Sequence, residues 1–412
     1  MNSPRKEALL ALVDVVEDGA YANLRLKDVH QSPQELPFIS ALVYTALEHL
    51  NWADYMLAFY VKPQKKTVRN ILRLALGELF FMDTPAHAAV NGAVNLCKEC
   101  GKGASAGLVN GVLRRMLREK ESLPPLPSED KKRLEVLYTC PGWLLDEWLP
   151  RFGLEGTERL LQYKAPALEV RAQYPYRNED LERELSVAFT KGQVDNNCYL
   201  LTKGISLTSW PLYIQGKVAV QGQGAMAVCR FMGDMAGKRV LDACAAPGGK
   251  SAYLFSLTRG NIALTSWELH PHRLQLMEEA FFRLGVKATC QQMDAAHFQG
   301  DIAPFDGVLL DVPCSGLGLL GNKPDVFLHR KEQDILDLAR VQRELLDSCE
   351  ALVAPGGVLV YSTCTISRRE NEEQIESFLR RHPVFTLEEQ RQLLPQADGT
   401  GGFYMARMRR CI

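Results

Sequence analysis

From about residue 231 onward, the sequence alternates β-type runs with helical segments. The β-type runs are KRVLDACAAPGGKS, IALTSWELH, FDGVLLDVPCSG and GGVLVYSTCT, and HRLQLMEEAFFRLG is one of the helical segments between them. Strands that alternate with helices form parallel sheets whose two faces are covered by those helices. The pattern therefore predicts an α/β domain with a parallel sheet over residues 231–412.

Two further regions precede this domain. Residues 1–125 repeat apolar residues at three- and four-residue spacing, as in VRNILRLALGELFFM, which predicts an all-α bundle. The proline-rich stretch ESLPPLPSED then has the composition of a linker. Residues 126–230 mix a helix around WLLDEWLPRF with strand-like pieces such as LYIQGKVAVQG, so we expect a small α+β region there. A chain of 412 residues is long enough for such a multidomain fold.

Composition narrows the protein class. The chain start lacks the features of a signal peptide, and no apolar segment is long enough to span a bilayer, so we expect a cytoplasmic protein with no membrane partner. In that compartment, the odd count of 11 cysteines indicates free thiols. The net charge is −1, so any nucleic-acid surface must be a local basic patch. We expect a monomer.

The loop after the first of these strands has features of a ligand site. Ligands bind beyond the carboxyl ends of strands in such sheets. VLDACAAPGGKSAYLF predicts a strand that ends near Ala243 and a helix that begins near Ser251. Gly248 and Gly249 allow a tight turn and a close approach of the backbone to a ligand. Glu268 ends the next strand, where a carboxylate can accept hydrogen bonds from ribose hydroxyls.

Other interpretations of this loop stay open. GGKS resembles the end of a phosphate-binding loop, but that motif needs a glycine where Cys244 stands, and the dinucleotide fingerprint G-x-G-x-x-G is absent. A glycine-rich turn without a ligand is a further alternative. Asp294 adds a polar group at the end of the third strand, although a lone aspartate can also cap a helix. We favour a nucleoside site.

Two cysteines follow neighbouring strands. Asp311 ends the fourth strand with Cys314 just beyond it, and Cys364 ends the fifth. A doubly wound topology can bring all three to one edge of the sheet. A single cysteine could be a small buried hydrophobic residue, but a pair beside a nucleoside site indicates chemistry.

A reactive thiol needs a neighbour that lowers its pKa from the usual value of about 8.5. Ser367 and Glu370 fit a capping box for the helix NEEQIESFLRR. We therefore expect the positive end of this helix, together with Arg368 and Arg369, to stabilise the thiolate of Cys364.

The motifs LDACAAPGGKS, LLDVPCSGLG and YSTCT together resemble those of the RsmB/Sun family of AdoMet-dependent RNA cytosine-C5 methyltransferases. HAAVNGAVNLCKECGKGASAGLVNGVLRRML is similar to the NusB-like domain that precedes the catalytic domain in bacterial members. The resemblance covers nearly the whole chain. It implies a NusB-like RNA-binding bundle at residues 1–125, an RNA-positioning region at 126–230 and a Rossmann-like, AdoMet-dependent methyltransferase domain at 231–412. It also implies 16S rRNA as the substrate.

The resemblance gives the two thiols different roles. The cysteine that matches Cys364 adds to carbon 6 of cytosine, so that carbon 5 can accept a methyl group from S-adenosyl-L-methionine (AdoMet). The cysteine that matches Cys314 assists release of the product. The positions that match the AdoMet-binding residues of the family are Cys244, Ala245, Ala246, Pro247, Gly248, Gly249, Lys250, Glu268, Asp294 and Asp311.

Some features depart from the family pattern or stay ambiguous. Gln173 and Gly222 replace an asparagine and an aspartate of two family signatures in the middle region. CKEC, at residues 97–100, has zinc-like spacing, but no second pair of ligands is nearby, so we expect packing and no metal. Two alternative functions stay open: methylation of tRNA by the same chemistry, and a non-catalytic RNA-binding factor in ribosome assembly.

Overall fold

The structure is a computed structural model that describes residues 2–29, 31–32, 34–298, 300, 302–321 and 325–411. It divides into two compact units. Unit 1 contains Met1–Gln162 and Gly321–Arg330, and unit 2 contains Tyr163–Leu320 and Lys331–Ile412. The domain boundaries expected after residues 125 and 230 stay predictions.

Unit 1 is helical, as the apolar periodicity predicts. Its first helix shows why the elements form where they do: the Ser3 side chain accepts a hydrogen bond from the Lys6 N–H at one end, and Gly19 ends the helix with φ 77°. Cys97, from the CKEC motif, is buried in the apolar core. The helices are α1 (Pro4–Asp18), α2 (Ala22–Arg25), α3 (Leu36–Glu48), α4 (Leu50–Tyr60), α5 (Lys66–Phe81), α6 (Ala86–Glu99), α7 (Ala106–Arg118), α8 (Asp130–Tyr138), α9 (Gly142–Gln162), which is broken at Gly153, and α15 (Val326–His329).

Unit 2 begins with a small antiparallel sheet. Its strand order is β2-β3-β1-β4, and every neighbouring pair is antiparallel. Apolar side chains such as Val170, Tyr199 and Val218 form its own small core. This part agrees with the predicted α+β character of the middle region. Its elements are β1 (Leu168–Ala172), α10 (Asn178–Glu184), β2 (Phe189–Lys191), β3 (Tyr199–Leu201), α11 (Pro211–Ile214) and β4 (Val218–Val220).

The rest of unit 2 is a seven-stranded sheet with the order β10-β11-β9-β8-β5-β6-β7. Its buried strands are continuous apolar runs, because helices cover both faces; Val308, Leu309 and Leu310 of β8 are fully buried. The elements are α12 (Gln223–Phe231), β5 (Arg239–Asp242), α13 (Gly249–Leu257), β6 (Ala263–Glu268), α14 (Pro271–Leu284), β7 (Thr289–Gln292), β8 (Phe305–Asp311), α16 (Glu332–Cys349), β9 (Val353–Thr363), α17 (Glu372–Arg381), β10 (Phe385–Leu393), α18 (Pro395–Asp398) and β11 (Phe403–Arg410).

The predicted Rossmann-like fold class is confirmed, with one correction to the sheet. The five strands from β9 to β7 pair in parallel, whereas β11 is antiparallel to β9 and β10 is antiparallel to β11. The strand β10 gave no clear strand signal, because only its two end residues, Phe385 and Leu393, are buried. The predicted parallel sheet is therefore extended at this edge by an antiparallel pair that was not predicted.

Parallel pairing brings the carboxyl ends of the central strands to one edge of the sheet. β5 ends at Asp242, β6 at Glu268, β8 at Asp311 and β9 at Thr363. All four residues carry a polar side chain. The candidate site is built at this edge. None of the described helices is long and apolar enough to cross a membrane.

Candidate active site

The loop after β5 makes the predicted tight turn. Gly248 has φ 94°, and its N–H donates a hydrogen bond to the carbonyl of Ala245 at 2.7 Å. A Cβ atom added to Gly248 would lie 2.6 Å from Cε1 of Phe281, so only glycine fits there without a shift. Helix α13 begins at Gly249, close to the predicted start at Ser251.

Asp242, at the end of β5, contacts the start of α13 just after this turn. It was not predicted as a site residue. Its carboxylate is buried and accepts a hydrogen bond from the Ser251 hydroxyl at 2.7 Å. The Ser251 hydroxyl is also 2.9 Å from that of Ser266 on β6. Burial raises the pKa of Asp242 to about 7. A polar residue at the end of the first strand was the available sequence signal.

Lys250 and Asp311 form an ion pair at the strand ends. The Lys250 ammonium donates to Oδ2 of Asp311 at 2.6 Å, and the Ser362 hydroxyl donates to Oδ1 at 2.8 Å. Burial opposes the charge on Lys250, but the carboxylate of Asp311 outweighs it, so the pKa of Lys250 is raised. The pair orients Asp311 at the end of β8.

The two cysteines lie side by side, as the topology argument predicts. The sulfurs of Cys314 and Cys364 are 3.2 Å apart, and the Cys364 N–H donates to the Cys314 sulfur at 3.3 Å. The hydrogen bond to Cys364 and then burial raise the pKa of Cys314 well above its ordinary value. The raised pKa favours a protonated Cys314 thiol, and at 3.2 Å either sulfur can be the donor to the other.

The predicted capping box is wrong. Helix α17 begins at Glu372 with Asn371 at its N-cap, and Ser367 makes no side-chain capping bond. Glu370, predicted to lie at a helix end, is fully buried. The positive end of α17 therefore does not start where the capping box placed it.

Glu370 instead joins the two cysteine loops. Its carboxylate accepts hydrogen bonds from the Ser315 N–H at 2.8 Å, the Ser315 hydroxyl at 2.5 Å and the Gln342 amide at 3.1 Å. The Ser315 hydroxyl is 2.8 Å from that of Thr365. Ser315 follows Cys314, and Thr365 follows Cys364. This network therefore fixes the positions of the two cysteine loops relative to each other.

The arginines expected beside Cys364 have another arrangement. Arg369 forms an ion pair with Glu332 on α16 at 2.9 Å. Lys250, from the loop after β5, instead pairs with Asp311, which lines the same cavity as Cys364.

A cavity of about 290 Å³ connects the two thiols with the predicted cofactor residues. Of the twelve predicted site residues, Ala245, Pro247, Gly248 and Gly249 form the turn behind it, and Lys250 reaches it through Asp311. The predicted residues that line it are Cys244, Ala246, Glu268, Asp294, Asp311, Cys314 and Cys364. Among the residues that the structure describes, no group of three or more potential ligands could hold a metal ion.

Two carboxylates line the cavity on the side of β6 and β7. Glu268 is buried, accepts a hydrogen bond from the His270 N–H at 2.9 Å and lies 3.5 Å from the guanidinium of Arg273. Arg273 also donates to the Ala246 carbonyl at 2.7 Å, so it ties β6 to the loop after β5. Sequence reasoning missed Arg273, which has no motif. Asp294 accepts from His297 at 2.9 Å, and this bond lowers the pKa of Asp294.

The structure explains the departure at Gly222. A Cβ atom at Gly222 would lie 2.9 Å from a carboxylate oxygen of Glu169 on β1. That carboxylate accepts a hydrogen bond from the Gln223 N–H at 3.2 Å, at the start of α12. Glu169 thus occupies the space of the missing side chain and caps the helix in its place. Gln173, the other departure, is buried and accepts a hydrogen bond from buried Arg171 at 2.7 Å.

Comparison with known proteins gives two family matches. Residues 232–409 match the family model described as 16S rRNA methyltransferase RsmB/F, and residues 2–118 match the NusB family. The chain is 34% identical to a protein of Bacillus subtilis (strain 168) named "Probable ribosomal RNA small subunit methyltransferase B", over 99% of each chain.

Solved structures share the fold. The crystal structure of PH0851 matches with a TM-score of 0.79 and 23% identity, over 100% of this chain and 99% of that one. NSun6 from Pyrococcus horikoshii, in a crystal structure with SFG, matches with a TM-score of 0.60 and 20% identity, over 66% of this chain and 98% of that one.

Proposed function

The chain belongs to the RsmB family of methyltransferases that act on the RNA of the small ribosomal subunit, and we propose that it methylates carbon 5 of a cytosine in 16S rRNA through a covalent cysteine adduct. The observation that carries this proposal is the thiol pair, 3.2 Å apart, in the same cavity as Glu268 and Asp311. Methyltransferases without a covalent step have no need of paired thiols.

The cavity fits AdoMet as the cofactor. A buried carboxylate, Glu268, suits ribose hydroxyls, and Asp294 lies on the same rim. The glycine turn at Gly248 leaves room for a close approach of the ligand to the backbone. SFG, named with the NSun6 structure, is an AdoMet analogue. When bound, AdoMet would supply an electrophilic methyl group.

Cys364 is the proposed nucleophile. Its thiolate would bond to carbon 6 of the cytosine, which makes carbon 5 electron-rich enough to accept the methyl group. Lys250, held at Asp311 on the wall of the same cavity, would favour the thiolate, and the Cys314 thiol would donate toward the same sulfur. The target base must leave its stack to reach these groups.

Cys314 is the proposed release group. After methyl transfer, carbon 5 carries a proton that must leave while the bond between carbon 6 and the Cys364 sulfur breaks. The protonated Cys314, in contact with that sulfur, can pass its proton to the departing Cys364, and the proton from carbon 5 then restores the Cys314 thiol. The raised pKa of Cys314 keeps it protonated for this step.

The remaining parts of the chain would handle the RNA. We assign RNA binding to the NusB-like residues 1–125 and RNA positioning to residues 126–230, because these regions contribute none of the predicted catalytic or cofactor residues. All twelve of those residues lie in unit 2 of one chain, which supports action as a monomer. The proposed substrate places this action in the cytoplasm.

Substitution of each thiol tests the assignment. The full-length protein is incubated with methyl-labelled AdoMet and unmethylated 16S rRNA, with tRNA as the alternative substrate. We expect Cys364→Ala to abolish labelling, and Cys314→Ala to accumulate an RNA adduct that survives a denaturing gel. An adduct in Cys364→Ala would reverse the roles, and AdoMet binding without labelled RNA in the unmodified protein would favour a non-catalytic factor. Labelled tRNA with unlabelled rRNA would change the substrate.

A further inference from the structure

Unit 2 contains another cavity, of about 520 Å³, away from the thiols. It lies where α14 ends, at Leu284 and Gly285, and beside the strand end that follows Ala172. Helix α14 begins at Pro271, next to the Glu268 rim of the cofactor cavity, and its 14 residues span about 20 Å. This second cavity, called the groove from here on, is therefore about one helix length from the rim of the cofactor cavity.

The groove displays aromatic side chains to solvent. Phe282 on α14 is 93% exposed, an unusual state for a phenylalanine in a packed domain. Tyr174 is 38% exposed, and Tyr176, two residues further along the chain, lines the same groove. Phe282 and Tyr174 thus offer flat apolar faces to solvent, and the half-buried Tyr176 lines the groove beside them.

The groove is also positively charged. Its lining contains the cations Lys217, Arg177 and Arg283 and one carboxylate, Asp180, which pairs with Arg177 at 3.1 Å. The Lys217 ammonium lies 5.2 Å from the ring centre of Tyr176, so a cation and an aromatic face are offered side by side.

The groove is held in shape by the backbone around it. Arg283 donates to the carbonyls of Tyr213 and Val218 at 2.8 and 3.3 Å, and its guanidinium lies 3.8 Å from the Tyr213 ring centre. Gly216, with φ 71°, meets the α14 end so closely that a Cβ atom there would clash with the Arg283 carbonyl. The site is therefore built before any ligand arrives.

We propose that this groove binds a single-stranded segment of the substrate RNA, several nucleotides away from the target cytosine. The inference rests on the proposed function for the identity of the RNA. Aromatic faces that stack on bases, combined with cations that contact phosphates, are the features by which proteins hold single-stranded nucleic acid. A purely apolar protein partner would leave the Lys217 and Arg177 charges desolvated, which disfavours it.

Binding of a fluorescein-labelled RNA of about 30 nucleotides of mixed sequence, longer than the site size of a typical single-strand module, tests the groove without methyl transfer. The variants are Phe282→Ala and Lys217→Gln in the full-length protein. The matched control is Leu276→Ala, which removes an exposed side chain of the same helix outside the groove. AdoMet affinity and the unfolding temperature are measured for each variant.

We expect Phe282→Ala to weaken RNA binding five- to tenfold at an unchanged salt dependence, because a stacking partner is lost. Lys217→Gln should reduce the slope of log affinity against log salt by about 0.7, the value for one phosphate contact on a single strand. Leu276→Ala should change neither. Unaltered RNA affinity and salt slope in both groove variants would overturn the proposal.

The same variants separate an RNA site from a protein-docking site. If they bind the labelled RNA normally but bind assembled small-subunit particles less well, the groove contacts a ribosomal protein and the proposal is wrong. Failure of the proposed function would be seen instead as an absence of RNA methylation by the unmodified protein. The binding measurement does not depend on methylation, so the two failures are distinguishable.

Discussion

Replacement of Glu370 with alanine tests whether the buried carboxylate holds the thiol pair. The change removes the acceptor for the Ser315 N–H and the Gln342 amide, whereas the Ser315 hydroxyl can still bond to Thr365. The Gln342 amide keeps its hydrogen bond to the Pro313 carbonyl at 2.9 Å, so the main loss is the Glu370 acceptor of the Ser315 N–H. A buried donor that loses its acceptor costs about 1–3 kcal/mol, and we expect the free energy of unfolding to fall by about that amount. Urea denaturation measures this loss.

The same substitution should slow the reaction in the fraction that folds. The network links the residues that follow Cys314 and Cys364, and a displacement of about 1 Å at a reacting group can cost about 100-fold in rate. We expect a fall of that order in kcat for methyl transfer, with KM for RNA nearly unchanged, because Glu370 is fully buried and cannot contact RNA.

Glu370→Gln is the matched control. Its amide oxygen can replace the carboxylate oxygen that accepts from Ser315 and Gln342, and its NH2 group can donate to the Ser315 hydroxyl, which in turn donates to Thr365. This variant should stay within about 1 kcal/mol of the unmodified protein and keep most of its activity. If Glu370→Ala is as stable and active as the unmodified protein, or if Glu370→Gln is equally damaged, the hydrogen-bond argument is refuted.

Three further predictions concern the cofactor loop at Gly248, the start of α12 at Gly222, and the buried carboxylate of Asp242. Gly248→Ala should weaken AdoMet binding in calorimetry and destabilise the fold by about 1–2 kcal/mol, whereas Gly285→Ala, also at positive φ but facing open space, should leave AdoMet binding unchanged. Equal AdoMet affinity in both variants would contradict the role of the turn. Gly222→Asp should lower the unfolding temperature, because it places a second carboxylate against Glu169, and Glu169→Ala in the same chain should restore it as the aspartate caps α12 itself; no recovery in the double variant would exclude this exchange of caps. Asp242 has a pKa of about 7 in the fold against an ordinary 3.8, so the folded state holds its proton more tightly, and its contribution to stability is lost as pH rises through that window. Asp242→Asn should therefore flatten the decline in the free energy of unfolding between pH 4 and 7, and an unchanged slope in urea titrations would show that another group is responsible.

Local patterns were sufficient to predict most of the elements and their ends. The apolar periodicity of unit 1 and the strand and helix alternation of unit 2 depend on neighbours a few residues apart, so they are visible in sequence. The ends of β6, β8 and β9 were predicted at or next to Glu268, Asp311 and Cys364, because a polar or turn residue stops each apolar run. The edge strand β10 was missed for the same reason: its residues are mostly exposed and have no apolar run.

The expected strand topology predicted which residues would meet, but not which side chains hold them in place. The prediction that Cys314 and Cys364 share an edge depended on the strand order, which the structure supplies by placing β8 beside β9. Glu370 was predicted to be part of a helix cap, because Ser367 and Glu370 have the three-residue spacing of a capping box. The same spacing also fits the turn that the structure shows. Only the fold shows that the side chain points inward to Ser315.

The sequence by itself thus determined the kinds of elements, the positions where strands stop and the presence of two thiols after neighbouring strands. Only the tertiary structure decided that Lys250 pairs with Asp311, that Arg369 pairs with Glu332, and that Glu169 fills the place left at Gly222. The physical reason is the sequence separation over which each effect acts. Periodicity and turn chemistry depend on residues that are only a few positions apart. The partners of a buried charge depend on which distant segments the sheet brings together.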